Sequence, residues 1–171
     1  KRSLDYDNDG LTGYGSFIKD GVTFPAFDGT ENRGGTQWNN NDTDGDGLDD
    51  GVEDSNFNGF RNTGETVPTD VDTDDDGLWD GPNVTIGATT YLGEKAFRTN
   101  PLKNDTDKDH ILDGTEVGLT SSDIHSGSSN GTKTSLFVQD SDPTTTTNPM
   151  MRDTDGDGLW DGWKDTNIRN G

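Results

Sequence analysis

Residues 42–53 read DTDGDGLDDGVE, and where their oxygens go decides the fold. Asp42, Asp44 and Asp46 stand at positions 1, 3 and 5 of a twelve-residue loop, Gly47 at 6, Leu48 at 7, Asp50 at 9 and Glu53 at 12. Carboxylates at alternate positions share one small space only when a strong positive charge sits among them. The glycine permits a sharp bend, position 7 offers its backbone carbonyl, and a glutamate at position 12 closes the ring with two oxygens. An all-oxygen set at this spacing is that of a Ca²⁺ loop, so several Ca²⁺ ions are the cofactor the sequence predicts. The competing reading is a solvated acidic loop, and a match at every ligand position weighs against it.

The pattern recurs along the chain. Residues 105–116 (DTDKDHILDGTE) supply Asp105, Asp107, Asp109, the Ile111 carbonyl, Asp113 and Glu116, with His110 at the glycine position. Histidine tolerates positive φ better than most residues; as a zinc ligand it would need partners, and His125 is the only other histidine. Directly after Glu53, a loop of Asp54, Asn56, Asn58, Gly59 and Glu65 replaces two carboxylates by amides, which predicts a weaker site. Asp72, Asp74, Asp76, Gly77, Leu78 and Asp80 open another loop, but its position 12 is Asn83. Residues 84–92 (VTIGATTYL) alternate β-formers around Gly87-Ala88, so a hairpin is expected inside the loop, returning Glu94 as the missing bidentate carboxylate. Asp153, Asp155, Asp157, Gly158, Leu159 and Asp161 form a further loop with Lys164 at position 12. An ammonium cannot coordinate metal, so Asp140 and Asp142 are the candidates to close it. Asp5, Asp7 and Asp9 begin a degenerate loop with Gly13 and Ser16 at its acidic positions, and Asp165 and Asn167 begin one that breaks off at Gly171.

Composition agrees. Of 171 residues only 24% are hydrophobic, 24 are glycine, and the formal charge is −21. Without metal such a chain suits disorder, because little apolar surface offsets the entropy of ordering the backbone. Roughly ten Ca²⁺ ions would cancel the charge and take over much of the role of a core. Cysteine is absent, which excludes disulfides. No apolar run is long enough to span a membrane, and the acidic charge argues against nucleic acid as a partner. The chain opens at Lys1 without an initiator methionine or signal region, which suggests a processed or excised piece.

The expected fold class is therefore mostly irregular with some β: an array of calcium loops joined by turns and short strands or hairpins, with little helix. Residues 1–41 read as a strand-containing segment with one or two strands at 15–27. Residues 42–118 read as loop repeats with a hairpin at 84–92, 119–139 as a connector, and 140–171 as a final repeat of a longer array. Thr66-Val67-Pro68, Thr99-Asn100-Pro101 and Asn148-Pro149 read as extended connectors. The stretches DTDGDGLDDGVEDSNFNGFRNTGETVPTDVDTDDDGLWDG and TNPLKNDTDKDHILDGTE resemble the thrombospondin type 3 repeat in its prokaryotic form. The resemblance covers most of 42–118 and 140–171. It implies calcium-wrapped repeats with little regular structure, in secreted or surface proteins, acting as spacers, adhesive stalks or structural units. Lys164 and the cysteine-free connectors depart from parts of that family.

The functional expectation is a non-catalytic extracellular structural protein, a calcium-stabilised unit of a surface filament, sheath or layer. The alternative is a calcium-rigidified spacer or adhesion module of a larger secreted protein; a dockerin-like partner module is weaker, because helical patterns after the loops are lacking. No nucleophile–base constellation or phosphate-binding loop is present. Self-association or adjoining repeats are the expected partners, since the block Asp42–Asn56 recurs at Asp153–Asn167 and an ion at one end is expected to be completed by a neighbour. Trp79, Trp160, Trp38 and Trp163 read first as packing residues and second as platforms for surface carbohydrate. The sequons at Asn41, Asn83, Asn104 and Asn130 and the run Thr144–Thr147 are weak signals of attached sugar, the run reading first as a stiff linker.

Overall fold

The computed structural model describes residues 8, 17–19, 22–24, 35–37, 39–127 and 130–162. The predicted ligands Asp5, Asp7, Asp9, Asp165 and Asn167 lie outside these, as do Lys164, Trp38 and Trp163. The chain divides into two compact units, 1–69 and 70–171, so the break falls within the stretch read as one run of loops.

In the first unit, β1 (Phe17–Lys19) and β2 (Val22–Phe24) pair antiparallel, Phe17 opposite Phe24. A single helical turn, α1 (Asp50–Glu53), ends the Asp42 loop. In the second unit the hairpin expected around Gly87-Ala88 forms from β3 (Val84–Ile86) and β4 (Thr89–Tyr91), with Val84 opposite Tyr91. Gly87 takes φ 64°, the left-handed value that a two-residue hairpin turn demands and that glycine accepts without a Cβ clash. Two more helical turns, α2 (Glu94–Phe97) and α3 (Asp113–Glu116), complete the elements among the described residues. The protein is mostly irregular with little helix, as its composition predicts, and among the described residues no helix is long and apolar enough to cross a membrane.

The loops share one hydrogen-bond scaffold, repeated at Asp42, Asp72, Asp105 and Asp153. The position-1 aspartate accepts from the position-4 amide with Oδ1, at 2.6–2.8 Å, and from the position-6 amide with Oδ2, at 2.9–3.0 Å. The position-9 aspartate accepts from the position-2 threonine amide, as in Thr43 to Asp50 at 2.7 Å and Thr106 to Asp113 at 2.8 Å. Folding the chain this tightly drives positions 4 and 6 left-handed: Lys108 has φ 69° and His110 φ 86°. Asn8, at position 4 of the degenerate first loop, has φ 70°.

Among the described residues, the buried apolar cluster is small and lies in the second unit. Leu78, Leu119, Ile124 and Phe137 are buried together, with Leu92, Phe97, Leu112 and Val117 against them. Three of the four come from the stretch read only as a connector. That stretch leaves at Leu119 and returns at Asp140, whose amide donates to the Leu119 carbonyl at 2.9 Å, and it lies over the Asp72 loop. Thr132 Oγ1 donates to Asp72 Oδ2 at 2.5 Å, and Lys133 pairs with Asp75 at 2.7 Å. Gly77 sits beneath this cover, where a Cβ would meet Phe137 at 2.8 Å and Ile124 at 3.0 Å.

Gly77 and Gly156 have φ of 102° and 76°, but space around Gly156 is open. Both alanine substitutions carry the left-handed penalty of about 1 kcal/mol, and Gly77→Ala adds an overpacking cost of about 1–3 kcal/mol. Urea denaturation of the two variants should show the Gly77 variant clearly less stable; equal stabilities would contradict the cover.

Candidate metal centres

The physical problem of each loop is the same: acidic oxygens accumulate faster than donors. In the first unit, Asp42, Asp44 and Asp46 place one oxygen each within 4.8 Å of one another. Asp44 Oδ2 is buried with no hydrogen-bond partner. Burial, then the neighbouring charge of Asp46, pushes the Asp44 carboxyl up to about 8. Glu53 is buried at the end of α1, its Oε1 accepting from the Thr66 hydroxyl at 2.9 Å, and Leu48 follows Asp46 on the same turn.

The second unit carries the denser centres. Asp72, Asp74 and Asp76 form one triad, and Asp76, Glu94 and Asp113 a second that shares Asp76. The hairpin brings Glu94 there: the Glu94 amide donates to the Trp79 carbonyl at 2.8 Å, and Trp79 bridges in parallel to Gly93. Glu94 is 1% exposed, and neither of its oxygens has a hydrogen-bond partner; the same holds for both oxygens of Asp74 and for Oδ2 of Asp76 and Asp113. Burial lifts the Glu94 carboxyl to about 9, with Asp74 and Asp113 adding to it. Asp76 is pushed well up by burial and by Asp74 and Glu94. Leu78 is buried at position 7, and Asp80 at position 9 holds the Thr73 amide at 2.9 Å.

Asp105, Asp107 and Asp109 form a third triad, and Asp109, Glu116 and Asp161 a fourth. Ile111 donates its amide to Asp109 Oδ1 at 2.8 Å. Glu116 Oε1 accepts from the Thr147 hydroxyl at 2.8 Å, while its Oε2 is buried without a partner. Burial raises the Glu116 carboxyl to about 9, with Asp109 and Asp107 contributing. The magnitudes decide what such triads require. Two full charges about 5 Å apart repel by about 3 kcal/mol at an effective dielectric near 20. Three ionised carboxylates therefore cost about 10 kcal/mol, comparable with the whole stability of a domain. Each cluster is either protonated or holds a cation, and an all-oxygen, flexible donor set with several carboxylates suits a hard divalent ion.

The other predicted sites differ. In the Asp54 loop, Glu65 is satisfied by protein: Oε1 accepts from Ser55 and Asn56, and Oε2 from the Asn62 amide at 2.8 Å. Burial alone would raise Glu65, but these donors overcome it and hold the carboxyl below its usual value. Asn58 turns its Oδ1 to the Phe60 amide, and Asp54 to Asn58 and Gly59. In the last loop Asp153, Asp155 and Asp157 keep the scaffold, but their residues and Leu159 are far more open to solvent than their counterparts at Asp72. Asp140 and Asp142, expected to close that loop, take part in a local turn. The Asp140 carboxylate accepts from the Asp142 amide, and Asp142 from the Thr144 hydroxyl, so the pair fixes a local turn.

Position 9 also departs from expectation. Asp113 and Asp161, counted by sequence with their own loops, each stand with position 5 and the closing glutamate of the loop before. The Thr-x-Pro connectors hide a second unread signal. Thr66 and Thr147 donate to Glu53 and Glu116, and Thr99 stands close to Glu94 without a hydrogen bond of good geometry. Position-2 threonines then fasten the connectors, accepting from Gln37, Asn100 and Asn148 at 2.8–2.9 Å.

The tryptophans split. Trp79 is buried, stacked on Tyr91 at 4.6 Å and edge-on to His125, whereas Trp160 is 36% exposed beneath the Arg152 guanidinium at 5.0 Å. His110 lies 6.5 Å from the Trp160 ring, so the two histidines occupy different surroundings. The chain matches no family model, no curated protein and no solved structure.

The raised carboxyls make a pH prediction for chelated protein. Unfolded Asp and Glu titrate near about 4, so a native group with a raised pKa binds its proton more tightly than the unfolded chain does. Its stabilising contribution is complete below about 4 and is lost as pH rises through its native value. For Asp72, Asp107 and Asp113 that value is about 6, and for Glu94 and Glu116 about 9. Circular dichroism in EDTA should show folded structure near pH 5 that disappears toward pH 9. Equal structure at both values would contradict the assignment.

Proposed function

We propose that the protein is a non-catalytic, calcium-stabilised structural unit that works outside the cell. The carrying observation is the Asp76–Glu94–Asp113 cluster: three buried carboxylates without a cationic side chain among them. The only ion pair among the described residues, Lys133 to Asp75, lies at the outer edge of that loop. The loop spacing and the resemblance of the sequence to thrombospondin type 3 repeats support Ca²⁺ over a smaller ion, since Ca²⁺ accepts six to eight oxygens in flexible geometry whereas Mg²⁺ demands a near-ideal octahedron. Extracellular modules of this chemistry bind at about 10⁻⁴–10⁻³ M, the range of free calcium outside cells. A Ca²⁺-braced chain needs little apolar core, and the repeated loops suit assembly into a filament, sheath or layer.

Calorimetry on chelator-treated protein should show several Ca²⁺ ions bound with a gain in thermal stability that Mg²⁺ at equal concentration does not give. Glu94→Gln should weaken one site specifically, by about tenfold or more. Absence of Ca²⁺ binding, or an unchanged Glu94→Gln titration, would overturn the reading. Electron microscopy with and without chelator bears on the assembly: fibres with Ca²⁺ support the structural unit, and isolated rods would replace it by a spacer.

A further inference from the structure

Two junctions in the second unit are built alike. At the first, the Asp113-Gly114 pair of the Asp105 loop meets the Asp72 loop: Asp113 joins Asp76 and Glu94 within 4.8 Å, and a Cβ on Gly114 would lie 2.1 Å from the Asp76 carbonyl oxygen. At the second, Asp161-Gly162 of the Asp153 loop meets the Asp105 loop: Asp161 joins Asp109 and Glu116, and a Cβ on Gly162 would lie 2.2 Å from the Asp109 carbonyl oxygen. The Gly162 amide also donates to Asp109 Oδ2 at 3.1 Å. In both cases the obstacle is backbone, which cannot step aside, so only glycine allows the approach. At the first junction the aspartate is held by its own loop through one oxygen, Asp113 Oδ1 by the Thr106 amide at 2.8 Å, whereas at the second Thr154 reaches both oxygens of Asp161, its amide Oδ1 at 3.0 Å and its hydroxyl Oδ2 at 2.7 Å. The other oxygen of Asp113, Oδ2, is buried without a partner, as are both oxygens of Glu94 in the same cluster.

We propose that Asp113 and Asp161 complete the ion site of the preceding loop, so that consecutive loops share ligands and load as a linked series. This rests on the calcium reading above, and it assigns to each position-9 aspartate a role opposite to the one its sequence position implies. At Asp113 one carboxylate then does two tasks: Oδ1 holds the position-2 amide of its own loop, and Oδ2 serves the ion next door; at Asp161 the ion shares the carboxylate with Thr154. Binding at the Asp72 site thereby requires the Asp105 loop to be folded, and binding at the Asp105 site requires the Asp153 loop. The Asp-Gly pair is the connector that sets loop order, with the glycine admitting the carbonyl and the aspartate admitting the charge.

The position-6 amides give a separate report for each loop, since Gly77, His110 and Gly158 each donate to the position-1 carboxylate of their own loop. The full chain, isotope-labelled and titrated with CaCl₂, is followed by amide NMR at these three residues. Asp113→Asn keeps an acceptor for the Thr106 amide and removes the charge. It should raise the Ca²⁺ midpoint at Gly77 by about tenfold or more while moving that at His110 less. Asp161→Asn should in turn move His110 more than Gly158. A midpoint shift at the mutated residue's own loop that equals or exceeds the shift at the preceding loop, or no shift at either, overturns the sharing of ligands. A wild type whose three amides ignore Ca²⁺ would overturn the calcium reading itself, and ligand sharing with it.

Discussion

Repulsion between buried carboxylates is the constraint from which the rest of the structure follows. Asp46, Asp72, Asp76, Asp109, Asp113 and Asp161 are fully buried in a chain with a formal charge of −21. Folding brings these groups together because each loop needs its first aspartate to hold two backbone amides and its ninth to hold a third. The same bonds that shape the backbone leave the remaining oxygens pointing at one another. A divalent cation would turn that conflict into cohesion, because it would attract every oxygen at once and make burial favourable.

The apolar residues then serve a subordinate purpose. Leu119, Ile124 and Phe137 roof over Leu78 and Gly77, while Thr132 and Lys133 grip the outer oxygens of Asp72 and Asp75. The excursion shields one loop from water, which strengthens the electrostatics within it. Its two ends are tied at Leu119 and Asp140, and Thr147 returns to Glu116 just as Thr66 meets Glu53 without any such insertion. The repeat therefore continues in space across an interruption in sequence. Among the described residues the Asp153 loop has no comparable roof, and Leu159 and Trp160 are exposed.

What could be read in advance was whatever is local. Alternate aspartates, the position-6 turn and the hairpin that carries Glu94 back to Asp76 all lie within short stretches whose geometry depends on few residues. His110 was legible for the same reason, since the position and not the residue type sets its φ. Left-handed backbone at Lys108 was not, because lysine does not advertise it. The destinations of Asp113 and Asp161 depend on how one loop stacks on the next, and the only trace is the glycine after each. Asp140 and Asp142 look like ligands by composition, and in the fold one oxygen of each takes a neighbouring donor, the Asp142 amide and the Thr144 hydroxyl. The roof of Leu119, Ile124 and Phe137 shows neither helical nor strand spacing, so nothing marked it as core.

The central claim is that cations sit among these carboxylates. It is tested most directly by anomalous diffraction from crystals grown with CaCl₂. The account predicts density for an ion bounded by Asp72, Asp74, Asp76 and Glu94, and for another among Asp105, Asp107, Asp109 and Glu116. Maps showing these carboxylates paired oxygen to oxygen through shared protons, with no anomalous peak between them, would contradict it.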